Sequence, residues 1–450
     1  MILELDQGAT AWILTSAALV LVMTPGVAFF YGGMVRAKGV LNMMMMSFIA
    51  MGTVGVLWAL FGYSMAFGSD MGGLIGNPMD YAGLTSLITN TGMEGEEGYS
   101  YPALAFVAFQ AGFAIITVAL ISGAIADRVK FGAWTLFTGI WAVLVYFPVA
   151  HWVWGGGWIS KLGENLFGDG YGVVDFAGGT AIHINAGAAA LALALVIGPR
   201  IGFGTKPMRP HNMTLVMLGA ALLWFGWFGF NAGSELAADN IASLAWVNTL
   251  VATSAAMLAW LLVERIRDGH ATSLGAASGI VAGLVAITPA AGNVDPMGAI
   301  AIGLIAGVGC AFAVGLKYKL GYDDSLDVGG VHMVGGLIGT LMIGFFAVPS
   351  VSETKVGLFY GGGLAQLSLQ AIAAFTAMFY SFVVTLIIAF AIKYTIGWRV
   401  TQAEELAGID QNEHSEIGYD LSPVYYTNRV QRTLVLSKED LADDKTGASK

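Results

Sequence analysis

Long apolar runs separated by short polar breaks fill most of this chain. Runs of roughly 20 mostly apolar residues have the length a helix needs to cross a bilayer, and they fall near 9–31, 39–68, 101–126, 131–154, 175–198, 212–235, 241–263, 272–289, 296–316, 329–349 and 364–394. The pattern therefore predicts eleven spanning helices, of which 272–289 is the shortest and one of the richest in glycine. The first run has no basic stretch before it and continues straight into Pro25 and Phe29-Phe30-Tyr31, so it reads as a span and not as a cleaved leader. Beyond the last run the chain turns polar, which divides it into a membrane domain over 1–394 and a tail over 395–450. The final stretch of that tail, rich in Lys, Asp and Glu, has the composition of a disordered segment.

Composition supports the pattern: 56% of residues are hydrophobic and 11% charged, whereas a soluble domain carries about 25% charged residues. Cationic side chains collect in cytoplasmic loops. Here Arg36, Lys38, Arg128, Lys130, Arg200, Lys206, Arg209, Arg265, Arg267, Lys317 and Lys319 occupy alternate loops, and the intervening loops hold only Lys161 and Lys355. Eleven spans with the basic loops inside put the N-terminus outside and the tail inside, in agreement with Lys393 and Arg399 at the last helix. The outer loops are acidic, with Asp70, Asp80, Glu94, Glu96, Glu97, Asp169, Asp239 and Asp295. They would either draw cations toward an outer vestibule or simply solvate the loops. Cys310 is the one cysteine, which excludes an internal disulfide and a cysteine metal cluster.

A repeated feature divides the membrane domain. Gly178-Gly179 leads into His183 on the fifth span, and Gly329-Gly330 leads into His332 on the tenth. Five spans per half is an odd number, so the halves would be inverted with respect to one another, an arrangement that places substrate sites at the interface of the repeats. The expected fold is an all-α membrane protein with a five-plus-five inverted repeat and a final long helix.

Of the six histidines, His183 and His332 are the two read as lying inside apolar spans, where an ionisable side chain is costly and faces a cavity or a partner. A neutral imidazole offers one donor and one acceptor, so two facing rings could guide a small polar molecule through an apolar passage. Counting residues puts His332 toward the cytoplasmic side of its span, so the two rings meet only if the 323–331 approach dips into the protein, with Asp323, Asp324 and Asp327 supplied with partners. Asp175, before His183, suits a helix cap or a nearby cation. Phe109 and Phe113 stand one turn apart on the third span, and Phe230 and Ser234 one turn apart on the sixth, with Trp154 closing the fourth. The span directions put Trp154 and Ser234 at the same outer level. An indole face attracts a cation by about 0.5–2 kcal/mol, and a hydroxyl oxygen can accept a hydrogen bond from a cation that carries protons. Belt tryptophan and core phenylalanine remain open as readings of the same spacing.

At these residues the chain closely resembles the ammonium transporter family of Amt, MEP and Rh proteins. The segment Asp175-Phe-Ala-Gly-Gly-Thr-Ala-Ile-His183-Ile-Asn-Ala is similar to the family signature. Further matches run from Phe29-Phe-Tyr-Gly-Gly33 through Phe109-Gln-Ala-Gly-Phe113, Val153-Trp-Gly-Gly-Gly157, Gly229-Phe-Asn-Ala-Gly-Ser234, Gly275-Ala-Ala-Ser-Gly279 and Val331-His332. The resemblance implies a homotrimer with one pore per subunit, in the cytoplasmic membrane, with no cofactor, no metal and no nucleic acid. It implies that Phe109, Trp154 and Ser234 recruit ammonium, supported by Asp175, that Phe113 and Phe230 form a gate, and that His183 and His332 line the pore. Glu404-Glu-Leu-Ala-Gly-Ile-Asp410 with Glu416 to Tyr419 resembles the family tail, which implies a PII-type signal protein as a possible partner at the cytoplasmic face. The resemblance does not extend to residues after about 427, whose role it leaves open. Two other classes stay open. One is a membrane redox enzyme ligating haem or a metal through the two histidines, which lacks further ligands. The other is an ammonium sensor with little flux.

Overall fold

The computed structural model describes residues 5–89, 93–94 and 100–419. Glu96, Glu97 and the end of the tail lie outside the described residues. Ten helices in the described chain are long and apolar enough to cross a membrane: α1 Gln7–Met34, α2 Ala37–Phe67, α3 Ala103–Ile125, α4 Phe131–Trp154, α5 Gly179–Ile197, α6 Met213–Glu235, α7 Asn240–Arg267, α9 Pro296–Leu320, α10 Gly329–Phe346 and α11 Ala365–Thr395. Between α7 and α9 lies α8, Ser273–Ile287. Its 15 residues span only about 22 Å, less than the hydrocarbon core of roughly 30 Å, and a run of turns over 288–293 carries the chain onward.

Polar side chains set where the helices start. Asp6 accepts a hydrogen bond from the Ala9 amide at the head of α1, Asn212 from Leu215 at α6, Asp239 from Ile241 and Ala242 at α7, Thr272 from Gly275 at α8, and Asp295 from Gly298 at α9. Each cap satisfies amides that the helix itself leaves open. Asp239 and Asp295 thus have local work among the acidic loop residues, and Asp80 accepts hydrogen bonds from Ser69 and Asn77.

Within the bundle α1 packs along α6, α7 against α8 and α9, and α5 against both α10 and α11. Small residues allow these approaches: a Cβ on Gly219 of α6 would stand 2.3 Å from the backbone nitrogen of Phe30 on α1. Without a hydrophobic drive between helices in lipid, such backbone contact is what packing relies on.

Basic loops that alternate in sequence meet at one end of the bundle. Arg36 pairs with Asp127 at 3.1 Å, Arg200 pairs with Asp323 at 2.8 Å, and Arg128 lies 4.0 Å from the same Asp323. Lys393 donates to the Val196 carbonyl at 3.0 Å. The tail through residue 419 folds onto this end as two short helices, α12 Gln402–Ala407 and α13 Ile409–His414. Its carboxylates act as caps for other elements. Asp410 accepts from the Leu41 and Asn42 amides at the start of α2, Glu413 from the Phe131 amide at the start of α4, and Glu405 from the Ile201 amide and Arg399.

Candidate functional site: a line of aromatic rings ending in two histidines

Two helix starts build the centre of the site. α5 and α10 both open with a wide π turn, over Gly179–Ile184 and Gly329–Met333, and each turn carries one histidine. An aspartate caps each turn from eight residues before its histidine. The Asp175 carboxylate accepts from the amides of Gly178 at 3.1 Å and of Thr180 and Ala181 at 3.0 Å, and the Asp324 carboxylate accepts from Val328 at 3.0 Å and Gly329 at 2.7 Å. The helices cross closely enough that a Cβ on Gly187 would stand 2.4 Å from the Met333 amide nitrogen.

This crossing brings the predicted histidine pair together. His183 Nδ1 and His332 Nδ1 are 3.3 Å apart, and both side chains are buried. Hydrogen bonding between two ring nitrogens needs one to donate and the other to accept, so the pair shares a single proton across the Nδ1 contact. His183 Nε2 has no protein partner, and a buried polar atom without one is costly unless a ligand or water meets it.

The approach to His332 is buried in protein, as its place near the middle of the molecule requires. Asp323 is held by Arg200, Asp324 caps α10, and Asp327 pairs with Lys317 at 2.6 Å. Three carboxylates at this depth are therefore each matched by a cation or by helix amides.

Above the histidines the aromatic rings pack edge-on and tilted against one another, in the order Phe109, Phe113, Phe230. The ring centroids of Phe113 and Phe230 are 4.4 Å apart, those of Phe109 and Phe113 are 4.7 Å apart, and Trp154 lies edge-on to Phe113 at 6.3 Å. Phe230 in turn lies 6.0 Å from the His183 ring, nearly parallel to it. Phe109, Phe113 and Phe230 are fully buried, while Trp154 and Ser234 remain partly open. The Trp154 indole donates to the Asp175 carbonyl oxygen at 2.9 Å. Asp175 thus serves the site in two ways, capping α5 through its carboxylate and holding Trp154 through its backbone. Ser234 Oγ donates to the Phe230 carbonyl at 2.8 Å, which uses its only proton and leaves its oxygen free to accept. On the far side of the pair, His332 borders a small cavity with Phe30, Tyr31, Met34, Val281 and Asp327.

All eight residues singled out in the sequence fall on this line or hold it in place. Three others were missed. Trp227, one turn before Phe230, stacks on His183 at 5.4 Å and 19° and donates to Thr288. Asp324 repeats the role of Asp175, and the shared spacing of aspartate to histidine in the two halves was the available signal. His151 corrects the count of histidines inside spans: it lies in the last turn of α4, which places a third one there. Among the described residues no group of three His, Cys, Asp or Glu is arranged to hold a metal ion.

Comparison with known proteins agrees with this geometry. The Ammonium Transporter Family profile matches residues 11–419. An ammonium transporter from Mycobacterium tuberculosis is 57% identical over 442 residues, covering 93% of this chain and 91% of the relative. Ammonium transporter Amt1 from Archaeoglobus fulgidus is 45% identical, covering 92% of this chain and all of the relative. Among solved structures, Candida albicans Mep2 superposes with a TM-score of 0.82 at 32% identity, covering 94% of this chain and 95% of that one. A structure described as a sensor Amt protein gives 0.81 at 30% identity, covering 90% and 98%. The chain therefore belongs to the ammonium transporter family, as a multi-pass protein of the cell membrane and not an enzyme.

Proposed function

We propose that this protein recruits ammonium at an outer aromatic site and conducts ammonia through the histidine-lined passage toward the cytoplasm. The observation that carries this reading is the buried His183–His332 pair, with an unpartnered Nε2, directly beneath the closely packed rings of Phe113 and Phe230. A cation at the outer mouth would meet the Trp154 indole and the free lone pairs of Ser234, with Phe109 and the Asp175-held turn fixing that geometry. A spherical ion needs several oxygen ligands to replace its hydration shell, whereas the single Ser234 oxygen satisfies one N–H of ammonium in full, which favours ammonium. Below the mouth, an unpaired ion in a dry passage costs at least several kcal/mol, so ammonium at the Phe113–Phe230 gate gives its proton either to water at the outer mouth or to the unpartnered His183 Nε2 beneath, in the tautomer whose Nδ1 donates to His332, and crosses as ammonia. Two imidazoles joined through Nδ1 can relay a proton separately, because each neutral ring has one nitrogen to receive and one to release.

The same membership supports the rest of the reading. We assign residues 1–394 to the transport domain and 395–450 to the tail, with the N-terminus outside, the basic end and tail at the cytoplasm, and three copies forming a homotrimer in the lipid bilayer with one pore each. Tail and basic loops together offer a PII-type signal protein a docking face. No cofactor is needed for transfer of a proton and a neutral molecule.

A second reading, an ammonium sensor with little flux, is favoured by the likeness to the sensor Amt structure. Current on a solid-supported membrane after an ammonium pulse to reconstituted proteoliposomes separates the two, with potassium as control and internal pH recorded in parallel. A current specific to ammonium means that charge crosses with the ammonia. An internal pH change without current means neutral conduction, and neither signal would refute transport and leave the sensor.

A further inference from the structure

His151 lies wholly buried in the last turn of α4, three residues before Trp154. Its Nδ1 is 2.9 Å from the carbonyl oxygen of Ala66, in the last turn of α2, and its Nε2 is 3.0 Å from Asp70 Oδ1. A carbonyl oxygen can only accept. Asp70 also behaves as an acceptor, since Oδ1 takes the Gly73 amide at 2.7 Å and Oδ2 takes Lys161 Nζ at 3.0 Å. The His151 hydrogen bond and then that of Lys161 hold the Asp70 carboxyl down at about 2, so it is ionised at neutral pH. With acceptors on both sides, both ring nitrogens must donate, and only a ring with a proton on each can do so. The surroundings suit that charge: the ring stands at the C-terminal turns of α2 and α4, where the aligned peptide dipoles are negative, and beside the Asp70 carboxylate, whose opposite charge favours it.

The same residue closes the turn that carries Trp154. Its carbonyl accepts from the amides of Gly155 and Gly157, each at 3.0 Å. The ends of α2 and α4 approach so closely here that a Cβ on Gly155 would stand 1.9 Å from the Ala66 oxygen and 2.6 Å from His151 Nδ1. We propose that His151 is a positioning residue for the outer aromatic site, a doubly protonated ring that clamps the end of α4 to the end of α2 through Ala66 and Asp70 and so fixes the Trp154 indole. This rests on reading Trp154 as part of the recruitment site.

The test uses full-length protein in proteoliposomes, with His151→Gln, Asp70→Asn and Trp154→Leu compared with the wild type across ammonium concentrations. Whichever flux signal the wild type gives, current or internal pH, is read for its half-saturating concentration and its maximum. His151→Gln and Asp70→Asn are expected to raise the half-saturating concentration several-fold while the maximum stays within about twofold, the signature of lost capture and not of lost passage. Ring-labelled histidine in the wild type should show one residue with both nitrogens protonated at neutral pH, and that signal should vanish in His151→Gln. If only neutral histidines are seen, the clamp is overturned. If Trp154→Leu raises the half-saturating concentration and the two clamp variants do not, the positioning role is overturned while recruitment stands. If Trp154→Leu leaves it unchanged, recruitment itself falls. Asp70 is partly exposed at the outer end, so Asp70→Asn keeps the test decisive even where His151→Gln does not fold.

Discussion

At the scale of single residues, the proposed site separates side chains assigned to meet ammonium from those that hold such side chains still. Trp154 and Ser234 are partly open and offer a π face and a lone pair. Replacing Trp154 by leucine removes a cation–π contact of about 0.5–2 kcal/mol, which corresponds to a rise of roughly 2-fold to 30-fold in the half-saturating ammonium concentration with little change in the maximum. An unchanged half-saturating value in flux assays would sink the role given to the indole. His183 stands differently, since it is buried between Phe230, Trp227 and His332. His183→Ala breaks the Nδ1 contact and opens a cavity beneath the gate, so the folded variant should lose ammonium-specific conduction or lose its discrimination against potassium. Equal flux and equal selectivity in that variant would mean the pair is structural.

Elements decide whether those residues meet. His183 and His332 are 149 positions apart, and what joins them is a pair of helix starts, each widened to a π turn and each capped by an aspartate. Asp324→Ala removes two hydrogen bonds to helix amides, with a stability cost of about 0.5–2 kcal/mol, and frees the turn that carries His332. The expected result is a protein that still assembles, melts earlier and conducts poorly. Wild-type flux together with an unaltered melting profile would show that the cap does not position the ring. The spacing from aspartate to histidine was legible in the sequence, but the pairing was obscured because a straight helix count puts His332 away from the middle of its span. Only the buried approach over 323–328, with Arg200 and Lys317 supplying counter-charges, moves it to the level of His183.

At the scale of the whole molecule, the tail is tied to the membrane helices by charge and by helix ends. Asp410 caps α2 through two amides and Glu413 caps α4, so the stretch 395–419 is held by the starts of two spans. Asp410→Ala should release it at a cost of about 1–2 kcal/mol, and limited proteolysis of the detergent-solubilised protein should then cut residues before 419 that are protected in the parent. Equal protection in both proteins would place the main anchor elsewhere, with Glu405 and Arg399 the next pair to change.

The long apolar runs, the alternation of basic loops, the polar tail and the chemical character of the candidate site residues were determined by the sequence itself, whereas the run over 272–289, read as a span, forms only the 15-residue α8. These properties are local: they follow from the length of an apolar run, the cost of charge in lipid and the donor or acceptor inventory of one side chain. Which residues touch was decided only by the tertiary structure. The proton shared by two histidines, the stacking of Trp227 on His183, the second aspartate cap and the clamp at His151 all depend on helices crossing at distances that small residues permit. Such crossings join positions far apart in the chain, and no periodicity within a single helix records where its neighbour will lie.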